Sequence, residues 1–196
     1  MNRINNPLLE EFKATVQKDR WHTYAERHNL CDTYSWAIPD DNGLRLIAEQ
    51  VAETNSCGVV EIGAGRGYWA WLLAAQGVDV VAYDAHPPAS SRENHYHRTG
   101  QCQYHMVQQG GPEDAKQHSD RVLFLCWPPY DDGLATDALL AYEGKTLIYV
   151  GEGSYGCTAN DEFFDLRDSL YEYVGGHRIP HWDSINDDLT VWKRRR

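Results

Sequence analysis

The run Glu61-Ile62-Gly63-Ala64-Gly65-Arg66-Gly67 carries the clearest chemistry in the chain. It follows an apolar, strand-like stretch and precedes a helical one. Glycines there let the backbone approach a ligand closely, with the free amides of a helix start aimed at it. Asp84 ends the next apolar run, 21 residues after Gly63. A carboxylate in that place can accept both hydroxyls of a ribose. Together the two features read as a site for a nucleoside-containing cofactor. The spacing is not that of a dinucleotide site. Counted from Gly63, the last glycine of G-x-G-x-x-G would fall on Tyr68. No Gly-Lys-Ser/Thr follows, which excludes a Walker loop. Glu61 adds nothing to a pyrophosphate site, but it suits a cofactor that carries an ammonium group.

A second constellation is Cys126-Trp127-Pro128-Pro129-Tyr130, at the end of a later apolar run. Two prolines stop a strand and fix the backbone. The carbonyls before them have no local amide to bond and are free to face a ligand. Trp127 and Tyr130 offer flat surfaces for stacking.

The pattern acid-x-Gly-x-Gly-x-Gly, with an acid ending the second strand, resembles the class I S-adenosylmethionine (SAM) dependent methyltransferases over about residues 58–192. The resemblance implies a seven-stranded sheet with an antiparallel last strand. It implies that Gly63, Ala64, Gly65 and Gly67 line the methionine portion of SAM, that Glu61 supports its amino end, and that Asp84 holds the ribose. Ala85 and His86 then lie beside the adenine. Trp127-Pro128-Pro129-Tyr130 is similar to motif IV of amino-group methyltransferases, Asp/Asn/Ser-Pro-Pro-aromatic, in which the first side chain accepts a hydrogen bond from the amine. Indole can only donate, so Trp127 breaks that role. The backbone carbonyls of Trp127 and Pro128 could hold an amine instead, or Trp127 could form part of an aromatic box for a cationic group.

Several signals carry less. Gly151-Glu152-Gly153-Ser154-Tyr155-Gly156 matches G-x-G-x-x-G, but Asp168 and Glu172, about 20 residues on, fall inside a predicted helix. The loop is expected at the same sheet edge as the first, bordering the substrate or forming a plain turn. His86, Glu152, His181 and Asp183 are candidate bases with no decisive spacing. His95, His97, Cys102 and His105 match no closed zinc module, and no metal is expected. Tyr34 and Trp36 either fold over the cofactor, with Trp36 counted among its contacts, or pack the N-terminal helices.

Elements that would position these residues follow from the apolar periodicity. Helical spacing covers residues 7–30, with Trp21 among its apolar positions, and 43–53. Strands are expected at 59–65, 78–85, 103–107, 121–127 and 145–151. Helices are expected at 68–76, 112–118, 134–142 and 161–174, and two late strands at 177–179 and 189–192. This predicts an α/β chain with a Rossmann-like doubly wound sheet, mostly parallel, with the late strands antiparallel. Residues 1–55 read as a helical extension packed on a SAM-binding unit at 56–196.

Composition bounds the partners. The 196 residues hold 29 acids against 18 bases, a net charge of −11. Four of those bases are Lys193 to Arg196, read as a solvated tail. A polyanion is an unfavourable visitor to such a chain, although Arg66, Arg92, Arg98 and the tail could make a local basic track. No apolar run is long enough for a membrane span, and five unpatterned cysteines read as free thiols in a reducing cytoplasm. The expectation is therefore SAM-dependent methyl transfer to a small molecule, an amine-bearing metabolite first. A nucleobase amino-methyltransferase and a SAM-binding protein without transfer stand as alternatives.

Overall fold

The computed structural model describes residues 5–18, 22–90, 96 and 102–196. The N-terminal stretch forms two helices where the periodicity suggested one. Asn6 caps α1 (Pro7–Val16) through the Leu9 amide. Thr23 then opens α2 (Tyr24–Thr33) with a reciprocal capping box: its hydroxyl accepts from the Glu26 amide while its own amide donates to Glu26. Such a cap specifies a fresh start regardless of apolar spacing. Thr23→Ala is expected to cost about 1 kcal/mol. A melting curve should show Tm lowered by roughly 2–4 °C for a chain this size. Trp21 lies outside the described residues.

α3 (Asp41–Glu53) starts from the Asp40 cap, and then strands and helices alternate: β1 (Val59–Ile62), α4 (Tyr68–Ala75), β2 (Val80–Asp84) and β3 (Val107–Gln109). After a 3-10 helix at Pro112–His118 come β4 (Val122–Cys126), α5 (Leu134–Ala141), β5 (Thr146–Gly151), α6 (Asp161–Leu170), β6 (Tyr171–His177) and β7 (Asp188–Arg194). They form one seven-stranded sheet in the order β3-β2-β1-β4-β5-β7-β6. β7 alone runs antiparallel, between β5 and β6.

Two expected elements are displaced. The third strand is Val107–Gln109, later than expected, because Gln103 bends back to cap the Val107 amide. The last helix ends at Leu170, and the chain passes directly into β6, where 161–174 was expected to stay helical and a strand was placed only at 177–179. Pairing of Tyr171 with Arg194 and Glu172 with Lys193 outweighs local periodicity there. The same pairing takes Lys193 and Arg194 out of the expected solvated tail and leaves Arg195 and Arg196 exposed beyond the strand. Lys193 donates to Thr146, and Arg194 lies over the Tyr171 ring and donates to the carbonyls of Tyr142 and Gly144.

The sheet buries a core on each face. In β1, Val59 joins Leu8, Leu44, Ile47 and Trp69 on one side, while Val60 and Ile62 join Leu139, Tyr149 and Phe163 on the other. Period-two alternation puts Glu61 on the Val59 side, under the N-terminal helices. The chain runs outward from β1 to β2 and β3, then crosses to β4. The ends of β1 and β4 are therefore the switch point at which doubly wound sheets open a crevice.

Candidate functional site

A cavity of about 650 Å³ occupies that crevice, within the range that holds a small-molecule ligand. Its floor is the turn after β1. Gly63, Gly65 and Gly67 have φ of +78°, +54° and +73°, a left-handed region that side chains disfavour. Gly63, Ala64 and Gly65 line the cavity. Gly67 does not. It precedes α4, and a Cβ there would come within 3.0 Å of His105 and Val107. Its place in the pattern is thus explained by close packing of the turn on β3.

Asp84 faces the turn from the end of β2. Its carboxylate accepts the Gly65 amide at 2.8 Å and the His86 amide at 2.9 Å. The acid therefore shapes both the glycine turn and the loop after β2, and an ionised carboxylate has further acceptor sites for ligand hydroxyls. Ala85 and His86 also line the cavity.

Glu61 is 2% exposed and lines the same cavity. Its Oε2 has no hydrogen-bond partner. Burial, and then repulsion from Asp84, raises its pKa to about 8. A buried acceptor without a donor is costly, so this carboxyl has an interaction to gain from a cation entering the cavity.

Trp127 sits at the end of β4 with φ +54°, a strained value for a bulky residue. Three contacts hold it. Its amide donates to Val150, its ring stacks on Trp36 with centroids 5.0 Å apart, and its indole N–H donates to both oxygens of Asp187 at 2.8 and 2.9 Å. Asp187 is 1% exposed, and burial raises its pKa to about 7. Trp127, Pro128, Pro129 and Tyr130 all line the cavity. The Pro128 carbonyl is not free to face a ligand, because it accepts the Ala159 amide at 2.9 Å. Pro129 further bridges to Thr158.

The chain has the class I methyltransferase fold. Magnesium protoporphyrin IX methyltransferase from Synechocystis PCC 6803, solved with bound SAH, superposes with a TM-score of 0.53 at 10% identity over 97% of this chain and 95% of that one. The Burkholderia thailandensis 1,6-didemethyltoxoflavin-N1-methyltransferase, with bound 1,6-didemethyltoxoflavin and S-adenosylhomocysteine, gives 0.51 at 15% identity over 95% and 90%. No protein-family model and no curated protein sequence matches.

On this fold, the expected residues other than Gly67 meet in one cavity, Trp36 included. The candidate bases separate. Of the four, His86 alone lines the cavity. Glu152 is a brace: its carboxylate accepts the amides of Cys157 and Asn186, and those bonds lower its pKa against the opposing effect of burial. His181 bonds Trp182, and Asp183 is exposed. Arg66 is buried, its guanidinium donating to the carbonyls of Asp32, Thr33 and Cys102. It ties the glycine turn to α2 and adds nothing to a basic track. Arg92, Arg98, His95 and His97 lie outside the described residues. Among the described residues no group of three or more His, Cys, Asp or Glu could hold a metal, and no helix is long and apolar enough to cross a membrane.

Two residues escaped the sequence reading. Arg27 projects from α2 into the cavity, and Asp187 reaches Trp127 from 60 positions away. Neither lies in a recognisable motif. The one available signal for Asp187 was an indole in a position that requires a partner for its N–H.

Proposed function

We propose that the protein is a SAM-dependent methyltransferase acting on a small molecule, with amine-bearing metabolites the first class to test. The observation that carries this reading is Glu61. A buried carboxyl with an unpartnered oxygen borders the glycine turn, and an α-ammonium group would satisfy it. The fit extends to the rest of the cofactor. Gly63 and Gly65 leave room for the methionine chain, and Asp84, already organised by two amides, would accept the ribose hydroxyls. Ala85 and His86 would border the adenine, and Trp36, stacked on Trp127, would close the cavity from the N-terminal side where cofactor and acceptor meet.

When bound, SAM supplies an electrophilic methyl group on a sulfonium. The residues here have modest work beyond that: to hold the acceptor in line and exclude water. Trp127 and Tyr130 would present flat faces to the acceptor. Pro128 and Pro129 would hold them in place through their own contacts with Ala159 and Thr158.

The test is transfer of labelled methyl from SAM into small-molecule, protein and nucleic-acid fractions of a cell extract. Label in the small-molecule fraction is expected. Label confined to nucleic acid would favour a nucleobase target. SAM binding with no label in any fraction would favour the second reading, a SAM-binding protein without transfer. That reading draws on Trp127, whose indole N–H is already committed to Asp187.

A further inference from the structure

Among the described residues two arginines line the cavity, and whereas the Arg66 guanidinium donates to the carbonyls of Asp32, Thr33 and Cys102, Arg27 has no such use in the cofactor reading. It sits at the fourth position of α2, with Cζ 5.9 Å from the centre of the Trp127 ring. Its Nε is buried and has no hydrogen-bond partner. Among the described residues, no carboxylate lies within ion-pair distance of it. Asp187 is nearby, but both its oxygens accept from the Trp127 indole. The guanidinium also reaches the Cys31 thiol, which burial pushes up to about 12 and which therefore stays neutral. Such a guanidinium has a buried, unpartnered N–H and, among the described residues, no carboxylate partner, and planar oxyanions fit its fork in bidentate fashion.

The position of Arg27 separates it from the cofactor end. The glycine turn and Asp84 lie at the ends of β1 and β2, whereas Arg27 touches Trp127 at the end of β4. Its charge is felt by Cys157, after β5, and by Asp187, before β7. Glu61 is perturbed by Asp84 and not by Arg27. Neighbouring strands are about 4.8 Å apart, so β2 and β5 are separated by roughly 14 Å. The wall beside Arg27 is the stacked pair of Trp36 and Trp127, 18° from parallel. An apolar aromatic pair with a donor fork beside it matches a flat molecule with an anionic end. The rim acids Asp131 and Asp132 are turned toward the Tyr96 hydroxyl and the Leu134 amide, and their charge disfavours a polyanion over a single carboxylate.

We propose that Arg27 and the Trp127–Trp36 wall form the acceptor subsite, and that the acceptor is a small aromatic carboxylic acid. This rests on the methyltransferase reading for the identity of the bound molecule as acceptor.

The test uses 2-naphthoate and its neutral isostere 2-naphthamide, titrated into the full chain with and without saturating S-adenosylhomocysteine. In the wild type, naphthoate should bind about tenfold or more tighter than naphthamide, the scale of a charged hydrogen-bonded pair. Arg27→Ala should erase that preference while leaving S-adenosylhomocysteine affinity and the melting curve unchanged, and Arg27→Lys should restore part of it. Equal binding of the two probes by the wild type, or no binding of either, would overturn the proposal. So would a loss of S-adenosylhomocysteine affinity in Arg27→Ala with 5′-methylthioadenosine unaffected, since the guanidinium would then serve the cofactor's own carboxylate. Failure of the wild type to bind S-adenosylhomocysteine at all would sink the methyltransferase reading. The naphthoate arm without it would still report on the anion subsite.

Discussion

Asp84→Ala is expected to weaken S-adenosylhomocysteine binding by on the order of 1.5–3 kcal/mol, roughly ten- to a hundredfold, as read by calorimetry. Two effects combine. The variant would lose the acceptor for the ribose hydroxyls, and a hydrogen bond to a charged group is among the stronger kinds. It would also release the Gly65 and His86 amides, which the carboxylate now holds at 2.8 and 2.9 Å. The glycine turn would then have to be ordered at the moment of binding, which adds to the loss. Asp84→Asn keeps one carbonyl oxygen as an acceptor and should fall between the two. Unchanged affinity in Asp84→Ala would remove this residue from the cofactor site.

Glu61 leads to a pH effect of opposite sign from the usual carboxylate. Its pKa in the folded chain is raised to about 8, from 4.5 for the free side chain. Between those values the native state binds a proton that the unfolded state does not, so stability falls as pH rises. Asp187, raised from 3.8 to about 7 by burial, acts in the same direction. Thermal melts of the ligand-free protein should therefore show Tm falling from pH 5 to pH 8. Glu61→Gln should flatten the upper part of that slope and leave the part due to Asp187. Binding reverses the balance. An ammonium group beside Glu61 favours the carboxylate, so S-adenosylhomocysteine should release up to about one proton at pH 7. Calorimetry in two buffers of different ionisation enthalpy would measure it. 5′-Methylthioadenosine, which lacks the amino acid, should release none, and neither ligand should do so with Glu61→Gln. Equal proton release by the two ligands would show that the carboxyl does not meet the ammonium.

The two sides of the cavity differed in how far they could be read from sequence. The cofactor side is local: Glu61, Gly63 and Gly65 fall within five residues, and Asp84 stands one strand away, so spacing alone brought them to one edge. Gly67 belonged to the same pattern for a different reason, the close approach of His105 and Val107, which no spacing reveals. The acceptor side is assembled from α2, the end of β4 and the loop before β7. There the sequence reading stopped at a tryptophan without a partner and at the carbonyls of Trp127 and Pro128, expected to be free. The partner proved to be Asp187, and one carbonyl proved to be taken by Ala159.

The sequence by itself determined the doubly wound arrangement, because buried parallel strands and their covering helices write their periods locally, and it determined the glycine turn with its acid. Only the tertiary structure decided where elements stop in competition with long-range pairing. Leu170 ends a helix because Tyr171 finds Arg194, and Lys193 and Arg194 belong to a strand rather than a tail for the same reason. It also decided the charges of the cavity. Burial raises the pKa of Glu61 and leaves its Oε2 without a hydrogen-bond partner, and among the described residues no carboxylate lies within ion-pair distance of Arg27. Both states depend on desolvation and on neighbours distant in the chain, so no run of adjacent residues could have encoded them.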